Sequence, residues 1–100
     1  MDGVRHNPDE SRYEMIVGDE VIGFAAYTVD GNTMTVPETR VDPAHGGKGY
    51  AGMIVERLLV DAREAGRSVI PQCPYVAGYI RRHPEHLDLV PEAQRERFDL

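Results

Sequence analysis

Apolar and polar positions begin to alternate regularly at Tyr13, Met15 and Val17, with Glu14 and Gly18 falling on the other side. A period of two is the signature of a half-buried strand. Gly18-Asp19-Glu20 supplies a turn, and residues 21–29 form a second strand-like run. Asp30-Gly31-Asn32 is a further hairpin signal, after which a third strand is expected over Thr33–Val41. Pro37 lies inside that run and argues for an edge position, a bulge or an interrupted ladder, because it cannot donate to a neighbour. Three strands in an antiparallel meander are therefore predicted for the front half.

The period then changes. Ala51, Ile54, Val55, Leu58, Leu59 and Ala62 share one helical face, while Glu56, Arg57, Asp61, Arg63 and Glu64 supply the wet side. Arg57 and Asp61 are one turn apart and form a candidate ion pair. Gly66 is the expected C′ stop. Residues 67–72 follow as a short strand, parallel to the third because a whole helix joins them. Residues 75–83 predict a second helix with Val76, Tyr79, Ile80 and His83 on one side, ended by Pro84. The tail carries two readings, a small strand at Leu87-Asp88-Leu89-Val90 or a last helical turn from Pro91. Residues 1–10, with Gly3, Asn7, Pro8, Asp9 and Glu10, read as a flexible lead-in that a partner surface can order. Residues 11–100 then form one domain of mixed α/β class: an antiparallel meander joined to a parallel strand pair, with flanking helices.

Composition narrows the possible partners. One hundred residues suit a single small domain. A formal charge of -6, from 17 acidic and 11 basic side chains, opposes nucleic acid and anionic membranes, and no long Lys/Arg run reverses it locally. No basic-then-hydrophobic leader or membrane-length apolar span is seen, so a cytoplasmic location is expected. Cys73 is the single cysteine, which excludes an internal disulfide, and the spread of His6, His45, His83 and His86 gives no reason to expect a metal.

The chemistry concentrates where the third strand meets the first helix. In Gly46-Gly47-Lys48-Gly49-Tyr50-Ala51, three glycines precede a helix start, where unpaired N–H groups and the absence of Cβ atoms favour a phosphate. A tight turn that merely starts a helix has the same composition. The ending Gly49-Tyr50-Ala51 lacks the Ser or Thr that a nucleotide P-loop places after Gly-Lys.

Four stretches together are more specific: Gly23-Phe24-Ala25-Ala26-Tyr27, the glycine loop, Val69-Ile70-Pro71-Gln72-Cys73-Pro74, and Tyr75-Val76-Ala77-Gly78-Tyr79-Ile80-Arg81-Arg82-His83-Pro84-Glu85. Over roughly residues 11–90 the chain resembles the GCN5-related N-acetyltransferase superfamily, especially its compact single-domain group. The resemblance implies a mixed sheet flanked by helices and acetyl-coenzyme A (acetyl-CoA) as cofactor. It also implies that the loop holds pyrophosphate and that pantetheine enters where two parallel strands separate. By that likeness Val41, Gly46, Gly47, Lys48, Gly49, Tyr50 and Ala51 are cofactor-binding candidates. Arg81 and Arg82 are candidates for its phosphates, or form a solvated helix end.

Two departures stand out. The superfamily loop opens with Arg or Gln where this chain has Gly46, and the compact group carries His-Thr-Glu where this chain has Glu38-Thr39-Arg40. Arg40 thereby becomes a candidate for an acidic acceptor or for the cofactor. Cys73, Tyr79 and Glu38 are the catalytic candidates: a thiol beside a helix start, a phenol able to protonate a leaving thiolate, and a carboxylate base acting through water. Each has a plain alternative, namely a small buried hydrophobe, a core aromatic and an exposed charge. The expected function is acetyl transfer to a small-molecule or protein amine by direct attack, in a monomer or weak homodimer. The alternatives are a non-enzymatic acyl-CoA-binding module and a small interaction domain.

Overall fold

The computed structural model describes residues 2–100. Five strands form one sheet in the order β1-β2-β3-β4-β5: β1 (Gly3–Asn7), β2 (Arg12–Val17), β3 (Glu20–Asp30), β4 (Thr33–Val41) and β5 (Ser68–Ile70). The first three pairings are antiparallel and β4 with β5 is parallel. Helix α1 (Tyr50–Glu64) makes the crossover, and α2 (Pro74–Arg82) follows β5. The mixed α/β class read from the chain is thus observed.

One expectation changes, and one left open is decided. The segment read as a lead-in without an element is an edge strand, paired with β2 from Gly3↔Ile16 to Asn7↔Arg12. Its turn residues misdirect because they serve the connection that follows, where Asn7 Oδ1 caps a short 3-10 turn by accepting from Glu10 N–H. His6 stacks on Tyr13 at 4.3 Å and lies 2.7 Å from the Tyr27 hydroxyl, which ties β1 to the sheet. The tail takes the helical reading, with 3-10 turns at Pro84–Leu89 and Glu96–Phe98 around α3 (Glu92–Arg95).

One face of the sheet is covered. Tyr13, Met15, Ala25, Met34, Val36 and Val69 meet Ile54, Val55, Leu58 and Leu59 of α1 and Val76 and Ile80 of α2, all buried. Burying each large apolar side chain contributes about 1.5–3 kcal/mol, the main drive for this layer. Asp61 joins the layers by accepting from the Tyr13 hydroxyl and from Arg57. The end of α1 is a Schellman arrangement, with Gly66 N–H on Arg63 O and Arg67 N–H on Ala62 O. Among the described residues no helix is long and apolar enough to cross a membrane.

The bulge at Pro37 determines what each face carries. Ala26 pairs with Glu38 and Thr28 with Thr35, so Val36 and Pro37 together oppose Tyr27. The extra residue reverses the alternation, as bulges do. Met34 and Val36 face the helices before it, and Thr39 and Val41, level with Ala25 and Gly23, do so after it. Glu38 and Arg40 turn to the uncovered face.

That uncovered face holds a buried carboxylate. Glu14, 1% exposed, accepts from Arg5 Nη2 at 2.8 Å, Arg12 Nε at 2.7 Å and Asn7 Nδ2 at 3.3 Å. Burial alone raises its pKa, but the hydrogen bonds from Arg5, Arg12 and Asn7 win and hold it below its ordinary value. A carboxylate depressed in the folded state contributes stability that is full above its unfolded pKa and is lost as pH falls through the folded one. Stability should therefore decline below about pH 4. Acid titration followed by circular dichroism should show a shallower loss for Glu14→Gln than for the parent chain; parallel curves would contradict this assignment.

Candidate active site

The parallel ladder between β4 and β5 ends at Thr35↔Ile70, while β4 runs on to Val41. Cys73 N–H donates to Val36 O at 2.8 Å, the last link across this seam. Beyond it the strands part. Asp42 N–H donates to Ile22 O at 2.7 Å, on the β3 side. Successive N–H groups of a strand point to opposite sides, so those of Val41 and Thr39 are directed into the gap that β5 leaves. Thr39 Oγ1 is also buried without a partner.

The glycine loop adjoins this gap. A 3-10 turn at Pro43–His45, capped by Asp42 Oδ1 accepting from Ala44 N–H, leads into Gly46. Gly47 and Gly49 then take φ of 75° and 78°. This is the left-handed region, which a Cβ disfavours. Gly49 is the N-cap of α1 and offers no side-chain cap, and among the described residues no N–H of residues 47–52 donates to a backbone carbonyl. Val41, His45, Gly46, Gly47, Gly49, Tyr50, Ala51 and Tyr75 enclose a cavity of about 310 Å³. His45 Nδ1 is buried there without a partner among the described residues. Bare N–H groups at a helix start, beside an unsatisfied imidazole nitrogen, fit a pyrophosphate.

The other sequence candidates occupy different places. Lys48 is exposed at the loop mouth. Arg82 stands 5.8 Å from the ring of Tyr75, which itself lines the cavity. Arg81 instead donates to Phe98 O and Asp99 O and pins the C-terminal turn. Cys73 is 6% exposed in the core cluster, and among the described residues no side chain hydrogen-bonds its thiol. Glu38 lies on the uncovered face, 3.3 Å from Arg40, so the sheet separates it from the layer holding Cys73 and Tyr79.

Tyr79 is the centre of a cluster absent from the sequence reading. Its hydroxyl donates to Glu56 Oε1 at 2.7 Å, and His86 Nε2 donates to the same oxygen at 2.8 Å. His83 stacks on the Tyr79 ring at 4.0 Å. Burial first, then the bond to Glu56, pushes the Tyr79 hydroxyl up, so it keeps its proton at neutral pH. Burial opposes ionisation of Glu56, but the donors Tyr79 and His86 outweigh it and lower its pKa. Two further residues were missed: Tyr75, one helical turn before Tyr79, and His45. The tyrosine spacing was a signal, since both side chains meet α1 at Gly52, where an added Cβ would lie 3.5 Å from the Tyr75 hydroxyl and from the Tyr79 ring.

The family model described as GCN5-related N-acetyl-transferase matches residues 12–89. No curated protein matches the sequence. Among solved structures, the fold is similar to a GCN5-like N-acetyltransferase candidate of Staphylococcus aureus determined by NMR, with TM-score 0.68 and 18% identity over 88% of this chain and 86% of that one. It is also similar to a Mycobacterium tuberculosis protein crystallised in complex with CoA and NLQ, with TM-score 0.56 and 22% identity over 90% of this chain and 66% of that one. At these identities the two structures speak to the fold, whereas the family match spans most of the sequence: the chain belongs to the GCN5-related N-acetyl-transferase family.

Proposed function

We propose that this protein binds acetyl-CoA and catalyses transfer of its acetyl group to an amine. One observation carries the reading: Val41, whose N–H is directed into the gap between β4 and β5, also lines the cavity of the glycine loop. Donors for a pyrophosphate and donors for a carbonyl are thus continuous. The relative crystallised with CoA supports this choice of ligand.

Acetyl-CoA supplies an activated acetyl thioester when bound. The chain supplies the rest. N–H groups of Gly47, Gly49, Tyr50 and Ala51 hold the diphosphate, Gly46 gives backbone room, and Lys48 and Arg82 add charge at the rim. Arg81, engaged with the C-terminal turn, acts only through that anchor. Val41 N–H, with Thr39 N–H beside it, stabilises developing negative charge. Tyr79 retains a proton for the leaving sulfur, and Glu56 holds that hydroxyl in place. Glu38, on the uncovered face, is the carboxylate on the acceptor side.

Direct attack by the amine is favoured over an acetyl-cysteine, because among the described residues the buried Cys73 thiol has no base in hydrogen-bond contact. Cys73→Ala is therefore expected to keep near-parental turnover, with no acetyl adduct on rapidly quenched parent protein by intact mass spectrometry. An adduct on the parent, absent from the variant together with its activity, would reverse the choice. The engagement of Tyr79 with Glu56 also favours a second reading, a non-catalytic acyl-CoA-binding module. Calorimetry with acetyl-CoA and a thioester-consumption assay over a panel of amines separate the two. Saturable binding with consumption supports the transferase, binding alone supports the module, and no binding removes both.

A further inference from the structure

On the uncovered face, a depression of about 390 Å³ has Arg12, Gly23, Phe24, Arg40, Val41 and Asp42 in its lining. Val41 is common to this depression and to the glycine-loop cavity, so the two adjoin at the end of β4.

Its two arginines are used in the same way. Arg12 gives Nε to Glu14 Oε2 at 2.7 Å, and Arg40 faces Glu38 Oε2 through Nε at 3.3 Å. Among the described residues neither terminal Nη fork has a hydrogen-bond partner. The Arg12 guanidinium stands 4.8 Å over the Phe24 ring, which fixes its plane. Such forks match a carboxylate in two-point geometry. Glu14, Glu38 and Asp42 already balance the positive charge, so a zwitterion fits this surface better than a phosphate does.

Building on the transferase reading, we propose that this depression is the acceptor site and that the acceptor is a small amine carrying a carboxylate, the chemistry of a free amino acid. The carboxylate sits on the Arg12 and Arg40 forks. The amine then points toward Val41, beyond which the donor cavity lies.

The test compares free L-amino acids with the matching amino-acid amides, using the full ¹⁵N-labelled chain with CoA present and, in parallel, a thioester-consumption assay with acetyl-CoA. Free acids are expected to bind at least about tenfold more tightly than their amides, with shifts at Gly23, Phe24 and Arg40, and Arg40→Gln should remove the preference. Arg40 is 71% exposed, so this variant tests recognition rather than folding. Its Kd for acetyl-CoA should be unchanged. Equal binding of acids and amides, binding of neither, or a preference that survives Arg40→Gln overturns the proposal. So does an Arg40→Gln variant that weakens CoA but not dephospho-CoA, which assigns the forks to the donor's phosphate. Acid-selective binding without thioester consumption leaves the acceptor cavity standing and removes the transferase; consumption that ignores the carboxylate does the reverse.

Discussion

Replacing Gly47 with aspartate is expected to raise the Kd for acetyl-CoA by roughly a hundredfold, equivalent to about 3 kcal/mol, while leaving the protein folded. Aspartate tolerates the left-handed region better than most side chains, and nothing lies within 4 Å of a Cβ built at this position. The turn should therefore survive. What changes is the ligand side, where a carboxylate now stands among the N–H groups proposed to hold the diphosphate, and repulsion replaces the proposed charge-assisted contact. Isothermal calorimetry gives the affinity and thermal unfolding by circular dichroism checks the fold. Unchanged affinity in a folded variant would remove the loop from the binding site. Gly47→Asn, which accepts the same backbone without the charge, should lose far less.

Val41→Pro is expected to lower kcat by roughly a hundredfold to a thousandfold, the usual cost of removing one donor from an oxyanion site. The substitution is selective because of the ladder. Val41 N–H faces the gap, whereas the β3 side is held by Asp42 N–H on Ile22 O. Proline there removes the donor that faces the gap without removing one from the sheet, and the preceding Arg40 is extended, as a residue before proline prefers. Because the proposed pyrophosphate contacts lie in the loop, the Kd for acetyl-CoA should change much less than kcat. A variant that turns over at the parental rate would show that this amide does not serve the carbonyl. Stopped-flow measurement of thiol release, compared with equilibrium binding, separates the two quantities.

Much of the architecture was legible because local signals agreed with one another. The alternation from Tyr13, the hairpin at Asp30-Gly31-Asn32, the apolar stripe of α1 and the stop at Gly66 all place elements where the structure has them. Strand β1 was less legible, since Val4 and His6 are a short apolar face and Asn7-Pro8 resembles an unstructured end. Its value appears only in contact with Tyr13, Tyr27 and Glu14, which local pattern does not report.

The site divides in the same way. Gly47 and Gly49 are legible as left-handed turn residues because backbone conformation is a local property. The faces of Glu38 and Arg40 are not local. A proline in the strand signalled a bulge, but the reversal of every later side chain follows only from knowing that Val36 and Pro37 share one partner. Glu56 looked like solvent-facing helix, and its two donors come from Tyr79 and from His86 in the 3-10 turn that follows α2. Sequence separation hid that cluster.

The central claim is that the loop and the separated strand ends form one donor site. Titration of the ¹⁵N-labelled protein with CoA tests it most directly. The expected result is saturable amide shifts at Gly47, Gly49, Tyr50 and Ala51 together with Thr39 and Val41, and little change on the amides of Glu14 and its partners on the uncovered face. Saturation that leaves Val41 and the glycine amides unmoved, or no saturable shift at all, would contradict the claim.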